Sequence, residues 1–431
     1  MLDIRLIRDN PELVRKNMEK RGNPEILRTL DALLEYDRIW RQKLTNLNSL
    51  RKERNQVTAE IAKAKKRGES VDALISRAQR IDEEITLLER EVCEYEEKVH
   101  NCLMSLPNLL HDSVPIGKSE LDNVTVRTWG EIRKFNFRVK DHIELGLSLD
   151  IMDLERAGKV AGARFFYLKG VGVLLDMALM SFAVDSLAKK GYTPIEPPLL
   201  MRRKPYEGVI ALSDFEEMLY KVEGEDLYLI ATSEHPIAAM FMDEVLGEKD
   251  LPIKFVGIST NFRKEAGAHG RDTRGIFRTH QFNKVEQFIF CKPEESWSLH
   301  EELLNNAEEI FQKLGLPYRV VNICSGEIGT VAAKKYDIEV WMPAQGAYRE
   351  VVSCSNCTDF QARRLNIKYR EMEGKPPKGY VHTLNSTAIA TGRTIVAILE
   401  NCQQEDGSVV IPEVLRKYMG GIEKIEPKGK A

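Results

Sequence analysis

Residues 262–288 combine arginine, aromatic and acidic side chains in a strand–loop–strand pattern. Arg263 would end the first strand, where its fixed charge and forked donors suit a phosphate group. Phe282 and Glu286 lie four residues apart, so on the second strand both face the same side. An aromatic ring beside a carboxylate suits a purine and a cationic amine. The alternative is an ordinary β-hairpin with surface salt bridges, which fits the single residues better than it fits the whole run.

Two further segments carry residues that suit a polyphosphate. Arg393 opens a predicted helix, where a cation is unfavourable unless an anion binds there too. Glu350 and Ser353 offer a carboxylate and a hydroxyl three residues apart, which could hold a hydrated Mg²⁺ against polyphosphate. Neither common Gly-rich phosphate loop occurs in the sequence. An ATP site must therefore depend on arginines and carboxylates.

The cysteines favour a reducing compartment. There are seven, scattered over 431 residues, which is a poor disulfide framework. Cys354 and Cys357 form a lone Cys-x-x-Cys, so we expect two packed thiols and no structural zinc. Asp3 and Arg5 interrupt the start of the chain where an export signal needs an apolar run. We therefore expect a cytoplasmic protein.

The bulk composition predicts a folded protein without an obvious membrane or nucleic-acid surface. Hydrophobic residues make up 43%, enough for a sizeable core, and the formal net charge is only -3. Any basic surface must therefore be local. The most apolar stretch, 171–187, is interrupted by Asp176 and Asp185 and predicts a buried helix, not a membrane span.

Residues 28–104 predict a long antiparallel helical hairpin. The range has no proline, and Gly68 is its only glycine. From Leu74 to Cys102 the apolar residues recur at alternating spacings of four and three, as in the seam of a coiled coil. The first helix should stop near Gly68, with Ser70 as the N-cap of the second. Two helices of about 35 residues would form an arm about 50 Å long that projects into solvent.

The tip of this arm is basic. Its cations are Arg51, Lys52, Arg54, Lys63, Lys65, Lys66 and Arg67. They could be a solvated helix face or a contact with a phosphate backbone, for which RNA is the better candidate. A cationic patch at the far end of a lever, on a nearly neutral protein, favours the second interpretation.

The break at Leu106-Pro107-Asn108 predicts the boundary between an N-terminal domain of residues 1–106 and a C-terminal domain of residues 107–431. The second domain should have an α+β fold, with an antiparallel sheet flanked by helices. Strands are predicted at 227–231, 253–261, 281–291, 318–323, 335–342 and 347–355. Helices are predicted at 172–190, 235–246, 293–314 and 391–401.

Three of these segments together resemble the signature motifs of class II aminoacyl-tRNA synthetases. Residues 191–198 resemble motif 1, 262–286 motif 2, and 391–393 with the following helix motif 3. Further matches narrow the resemblance to the seryl-tRNA synthetases. They are the Thr-x-Glu element at 232–234, the Arg-Glu-x-x-Ser-Cys-Ser-Asn run at 349–356 and the ending at 411–416. The helical hairpin resembles that family's tRNA-binding arm.

The resemblance implies ATP-dependent activation of L-serine to seryl-adenylate and transfer to the 3′ end of tRNA(Ser). It leaves tRNA(Sec) open as a second substrate. It also implies Mg²⁺ with the ATP, and a homodimer formed through the motif 1 segment.

The resemblance also assigns individual roles, with Arg263 and Arg393 as catalytic residues. The residues implied to bind ATP are Arg263, Lys264, Glu265, Arg278, Phe282, Glu350, Val351, Val352, Ser353 and Arg393, with Glu350 and Ser353 on the metal. The residues implied to bind serine are Thr232, Ser233, Glu234, Arg263, Glu286 and Thr387. Thr387 stands where the family often has serine, and it keeps the hydroxyl.

Three alternatives remain. A synthetase-like ligase that charges a carrier protein would lack the long arm. A non-catalytic tRNA-binding paralogue would have lost Arg263, Glu265 or Arg393, all of which are present. The zinc-dependent form of the family is disfavoured by the ordinary Thr-x-Glu element.

Overall fold

The computed structural model describes residues 1–211, 218–265 and 274–428. The chain divides into two compact units, Leu2–Pro107 and Asn108–Ala431, the latter with Met1. The described helices, in chain order, are α1 Ile4–Asp9, α2 Pro11–Glu19, α3 Pro24–Arg67, α4 Asp72–Ser105, α5 His142–Ser148, α6 Leu154–Ala161, α7 Val171–Ala188, α8 Arg203–Val209, α9 Glu234–Ala238, α10 Ser296–Leu314, α11 Phe360–Leu365, α12 Thr391–Asn401 and α13 Glu413–Arg416.

The N-terminal unit contains the predicted hairpin of α3 and α4, of 44 and 34 residues. On α4 the predicted seam positions are buried or half-buried, from Leu74 through Ile81 and Val99 to Cys102, and the positions between are mostly exposed. Gly68 ends α3 in the left-handed conformation, with φ of 71°. The structure therefore confirms the helical hairpin that the heptad spacing predicts.

Two details of the hairpin differ from expectation. α3 begins at Pro24, earlier than predicted, because the Asn23 side chain accepts a hydrogen bond from the backbone N–H of Glu25 and proline fits the first turn. The prediction of Ser70 as N-cap is wrong, since Val71 holds that position. The Ser70 hydroxyl instead donates to Asp72 Oδ2 at 3.1 Å.

The second unit is built on strands numbered in chain order. They are β1 Val124–Trp129, β2 Met152–Asp153, β3 Tyr167–Leu168, β4 Thr193–Ile195, β5 Leu200–Met201, β6 Tyr228–Leu229, β7 Val245–Gly247, β8 Ile253–Phe262, β9 Gln281–Cys291, β10 Tyr318–Asn322, β11 Lys334–Met342, β12 Ala347–Asn356, β13 Lys368–Arg370, β14 Gly379–Tyr380, β15 His382–Ala390, β16 Val409–Val410 and β17 Lys424–Ile425. The main sheet has eight strands in the order β1-β10-β11-β12-β15-β9-β8-β4. Its pairs are antiparallel except at one edge, where β4 runs parallel to β8.

Helices cover both faces of this sheet, which confirms the α+β prediction. On one face α7, α10 and α12 pack over buried Val285 and Ile289 of β9. On the other, α8, α9 and α11 pack over Phe288 and Phe290. The alternation along β9 therefore decides which side chains enter which core.

The predicted strands in the sheet were nearly all placed within one residue, and helix α12 has the predicted bounds. The helix predicted at 235–246 is wrong beyond Ala238, because Val245–Gly247 leaves it to pair in parallel with β13. Strand β15 was not predicted. Its sequence, His382–Ala390, contains polar residues that read as a loop, although every residue from Thr383 onward is buried.

Helix α7 is long and apolar enough to cross a membrane by length and composition. In the structure Leu175, Leu179 and Phe182 pack into the core under the sheet. Its buried Asp176 accepts a hydrogen bond from Asn283 Nδ2 at 2.8 Å. The helix thus supports strand β9 from below.

Candidate active site

A cavity of about 320 Å³ opens on the sheet face that carries Phe288 and Phe290. Its lining residues include Thr232, Glu234, Arg263, Glu265, Arg278, Phe282, Glu286, Glu350, Val351, Ser353, Thr387 and Arg393. The structure therefore brings together most of the residues predicted for nucleotide and serine binding. Residues 266–273 of the motif 2 segment lie outside the described residues.

Strand β9 supplies one wall of the cavity. Phe282, Lys284 and Glu286 all line it, at the two-residue spacing of one strand face. The same face continues into the apolar core as Phe288 and Phe290. The sequence of this strand thus changes from polar to apolar along a single face, and the cavity lies at the polar end.

Two β-bulges change which face of the sheet the neighbouring side chains occupy. In β12 the register against β11 shifts between Val352 and Glu350, so Val351 is the extra residue. Glu350 therefore shares the cavity with Ser353, although a regular strand would turn residues three apart to opposite sides. In β15 a second bulge places Ala388 as the extra residue after Thr387.

The end of strand β8 fixes Arg263. Its backbone N–H donates to the His280 carbonyl at 2.9 Å, and its Nε donates to the Ala231 carbonyl at 3.2 Å. The guanidinium carbon lies 5.2 Å from the centroid of the Phe282 ring. Next to it, Glu265 adopts a φ of 48°, a conformation that costs energy for a non-glycine residue. The arginine is therefore held by its backbone and by Nε.

The remaining arginines of the cavity are paired with carboxylates. Arg278 Nη1 lies 3.5 Å from Glu265 Oε2. Arg393 Nη1 donates to the Glu350 carbonyl at 3.0 Å and lies 3.4 Å from Glu350 Oε1. These contacts hold both guanidinium groups at the cavity wall, where anions could compete for them.

Two carboxylates, Glu234 and Glu286, form an acidic site. Lys284 Nζ lies 2.6 Å from Glu286 Oε2, and the Thr387 hydroxyl donates to the same oxygen at 3.3 Å. Glu234 Oε1 accepts a hydrogen bond from Gln361 Nε2 at 3.2 Å. A small cation such as an ammonium group would fit beside such a pair.

Burial perturbs the ionisation of these groups. Burial, and then the neighbouring charge of Glu286, raises the pKa of Glu234 to about 7. Burial also raises the pKa of Glu286, against the opposing charge of Lys284. Burial, and then Arg393, lowers the pKa of Arg263. An anion would relieve this cost for Arg263, and a cation would relieve it for the carboxylates.

Glu350 behaves differently from the other cavity carboxylates. Burial alone would raise its pKa, but Arg393, Lys335 and Arg263 outweigh it and hold the pKa below its usual value. These neighbouring cations therefore favour the ionised form of the Glu350 carboxylate. Such a carboxylate is a ready ligand for a hard cation.

Three predicted site residues do not line the cavity. Ser233 is fully buried, with its hydroxyl 3.5 Å from the Gly257 carbonyl. Val352 packs in the apolar core on the face of the sheet that α7, α10 and α12 cover. The backbone N–H of Lys264 donates to the carbonyl of Met218, a lining residue, at 3.0 Å. For Val352 the reason is strand alternation beside the bulge.

The sequence reasoning missed several lining residues, among them Lys284, Lys335, His235 and Asn385. Lys284 could have been found, because it lies between Phe282 and Glu286 on the same strand face. Asn385 could not be placed while β15 was unrecognised.

Cys354 and Cys357 are both buried free thiols, and burial raises the pKa of each. Asn385 Nδ2 lies 3.7 Å from Cys357 Sγ. Among the described residues, no group of three or more His, Cys, Asp or Glu side chains is arranged to hold a metal ion.

At the tip of the arm the predicted cations fall into two groups. Arg51 pairs with Glu89 at 2.8 Å, Arg54 with Asp82 at 2.9 Å, and Arg67 lies 3.9 Å from Glu69. The exposed lysines form no ion pair with any residue that the structure describes. They are Lys52, Lys63, Lys65 and Lys66.

Comparisons with known proteins agree with this geometry. The family model for the seryl-tRNA synthetase N-terminal domain matches residues 1–110. The model for the class II tRNA synthetase core domain (G, H, P, S and T) matches residues 218–402. A serine–tRNA ligase of Methanocella arvoryzae is 57% identical over 423 residues, which are 98% of this chain and 100% of that protein.

Solved structures are similar over the whole chain. The seryl-tRNA synthetase of Pyrococcus horikoshii complexed with ATP has a TM-score of 0.95 at 53% identity, covering 99% of this chain and 100% of that one. The cytoplasmic serine–tRNA ligase of Naegleria fowleri in complex with AMP has a TM-score of 0.89 at 40% identity, covering 100% and 99%.

Proposed function

The chain belongs to the seryl-tRNA synthetase family, and from that premise we propose how its cavity divides the reaction between its residues. The protein activates L-serine with ATP, releasing pyrophosphate, and transfers the seryl group from seryl-adenylate to tRNA(Ser). The observation that carries the proposal is the pairing, in one cavity, of half-buried Arg263 and Arg393 with half-buried Glu234 and buried Glu286. One pair suits phosphate and carboxylate, and the other suits an ammonium group.

The nucleotide side of the cavity consists of Phe282 and the arginines. Adenine stacks on the Phe282 ring, and Arg263 binds the α-phosphate beside it. A serine carboxylate oxygen attacks the α-phosphorus, and the bond from that phosphorus to the bridging oxygen of pyrophosphate breaks. Arg263 stabilises the charge that develops on the α-phosphate, while Arg278 and Arg393 hold the leaving pyrophosphate. Positioning and charge account for the step, so no protein nucleophile is required.

The donor set at Glu350 and Ser353 fits Mg²⁺. Both side chains line the cavity and offer oxygen atoms, which this hard cation prefers. The depressed pKa of Glu350 keeps its carboxylate ionised, which fits the same role. Mg²⁺ bound there would neutralise phosphate charge.

The serine side of the cavity consists of Thr232, Glu234, Glu286 and Thr387. The two carboxylates bind the substrate ammonium, and Thr387 meets the substrate hydroxyl. Because Thr387 would be left without that polar partner, alanine should be rejected more strongly than its size requires.

Serine-stimulated exchange of pyrophosphate into ATP tests this proposal. We expect exchange with serine and far less with alanine, threonine or glycine. Exchange that is stimulated by another amino acid and not by serine would refute it.

Two partner proposals follow from the family. The exposed lysines of the arm tip contact the tRNA backbone, and comparing tRNA(Ser) with tRNA(Sec) transcripts in charging assays decides whether both are substrates. Two copies of the chain pair through the motif 1 segment, residues 191–198, which is flanked by exposed apolar residues, namely Val173, Leu174 and Met177 of α7 and Leu199. Analytical ultracentrifugation should give twice the chain mass, and a monomer at micromolar concentration would contradict the pairing.

A further inference from the structure

Glu234 is held by a buried glutamine outside the cavity lining. Gln361 in α11 is fully buried. Its Nε2 donates to Glu234 Oε1 and to the Val209 carbonyl, both at 3.2 Å. Its Oε1 accepts a hydrogen bond from the Thr383 hydroxyl at 2.6 Å. Because its nitrogen faces two acceptors and its oxygen faces a hydroxyl, one orientation of the amide satisfies all of these contacts.

The two carboxylates of the acidic site are engaged in the same way. Glu286 Oε2 pairs with Lys284 Nζ and accepts a hydrogen bond from the Thr387 hydroxyl. Within the described part of the chain, nothing donates to Glu286 Oε1 or to Glu234 Oε2. Each carboxylate therefore has one fixed oxygen and one oxygen left for a ligand.

One face of strand β15 anchors both arrangements. Thr383 and Thr387 are four residues apart and lie on the same side of the strand, with Asn385 between them. Thr387 contacts Glu286 directly, and Thr383 reaches Glu234 through Gln361. Strand β15 thus helps to position both carboxylates, one directly and one through Gln361.

We propose that Gln361, anchored by Thr383, is a positioning residue for serine binding, which turns Glu234 so that Oε2 meets the substrate ammonium. This inference depends on the proposed role of the cavity in binding serine. The competing explanation is that Gln361 only fills a buried polar position, in which case its loss would weaken folding without a selective effect on serine.

Gln361→Met keeps the volume and removes the hydrogen bonds. A hydrogen bond to a charged group changes a binding constant by about ten- to a hundredfold, so we expect the KM for serine in pyrophosphate exchange to rise by that factor. The KM for ATP should change less than about twofold, because the residues of the nucleotide side are untouched.

The pH profile supplies a second readout that a purely structural role would not move. Among the described residues, the ionisable groups that interact electrostatically with Glu234 are Glu286 and Lys284 from β9, Arg263 after β8, Cys357 after β12 and Tyr206 of α8. Gln361 and the two cations lower the pKa of Glu234, against burial and Glu286. Removing Gln361 should therefore move the rise in serine KM at falling pH to a higher pH.

Thr383 gives a milder pair of variants. Thr383→Val removes the hydroxyl that orients Gln361 and should raise the KM for serine severalfold. Thr383→Ser keeps the hydroxyl and should restore nearly the original KM. Both retain Gln361, so they test the proposal even if Gln361→Met folds poorly.

Gln287 provides the matched control. It is equally buried. Its Nε2 donates to the Leu303 carbonyl at 3.1 Å and its Oε1 accepts from Asn306 Nδ2 at 3.0 Å, both on helix α10. Gln287→Met should lower the melting temperature and leave the KM for serine unchanged. If Gln361→Met and Thr383→Val behave like this control, the inference is wrong. If the unmodified protein shows no serine-stimulated exchange, the proposed function fails instead.

Discussion

The arm and the cavity use the same charged side chains in opposite surroundings. In the arm, Arg51 and Glu89 form an ion pair in which both side chains are about half exposed, at 52% and 47%. In the cavity, Lys284 and Glu286 are 8% and 2% exposed. Water and salt screen the first pair, and removing either partner of the second leaves an uncompensated buried charge. Removing one charge from an ion pair of the arm should therefore have little effect. Removing one charge from the buried pair of the cavity should have a large effect.

The largest expected effect comes from a single charge in the cavity wall. Arg263→Ala should reduce serine-dependent pyrophosphate exchange by at least about a thousandfold, because it removes the charge that stabilises the α-phosphate. Arg263→Lys should recover little, since an ammonium group lacks the forked geometry. Arg51→Ala in the arm is the control and should leave exchange unchanged. Intact exchange in Arg263→Ala would show that the assigned role is wrong.

A smaller effect should follow from changing several exposed charges at once. Replacing Lys52, Lys63, Lys65 and Lys66 by Ala should raise the KM for tRNA by about ten- to a hundredfold and flatten its dependence on salt. Pyrophosphate exchange, which needs no tRNA, should be unaffected. Replacing Arg51, Arg54 and Arg67 should do less, because carboxylates already neutralise them. Equal effects of the two sets would mean that ion pairing within the arm does not matter.

The smallest effect concerns pH. Burial, and then the charge of Glu286, raises the pKa of Glu234 to about 7, so falling pH protonates the carboxylate that binds the ammonium. Between pH 8 and pH 6 the KM for serine should rise by about tenfold, with the KM for ATP nearly constant. A flat profile would place the pKa of Glu234 outside this range. No comparable dependence is expected for the arm, whose contacts are lysines and arginines.

The same contrast explains what the sequence could predict. The arm depends on local sequence, so its seam was predicted from the heptad spacing, its turn from the helix break at Gly68 and its basic tip from a cluster of cations. The residues of the cavity come from several strands. Phe282 and Glu286 could be placed together because they share a strand, and the resemblance to known motifs added Thr232 and Thr387. Contacts between distant segments, such as Gln361 with Glu234, leave no periodic signal in one sequence.

The bulge at Val351 has a consequence for the spacing of Glu350 and Ser353, the two side chains proposed to hold Mg²⁺. Glu350 and Ser353 are separated by an odd number of positions, which normally means opposite faces of a strand. One extra residue changes the parity, and the odd spacing becomes a same-face spacing. The three-residue spacing of Glu350 and Ser353 on one face is therefore a result of the bulge. A search for side chains that share a strand face at even intervals would therefore miss this pair, because the bulge places Glu350 and Ser353 together at an odd interval.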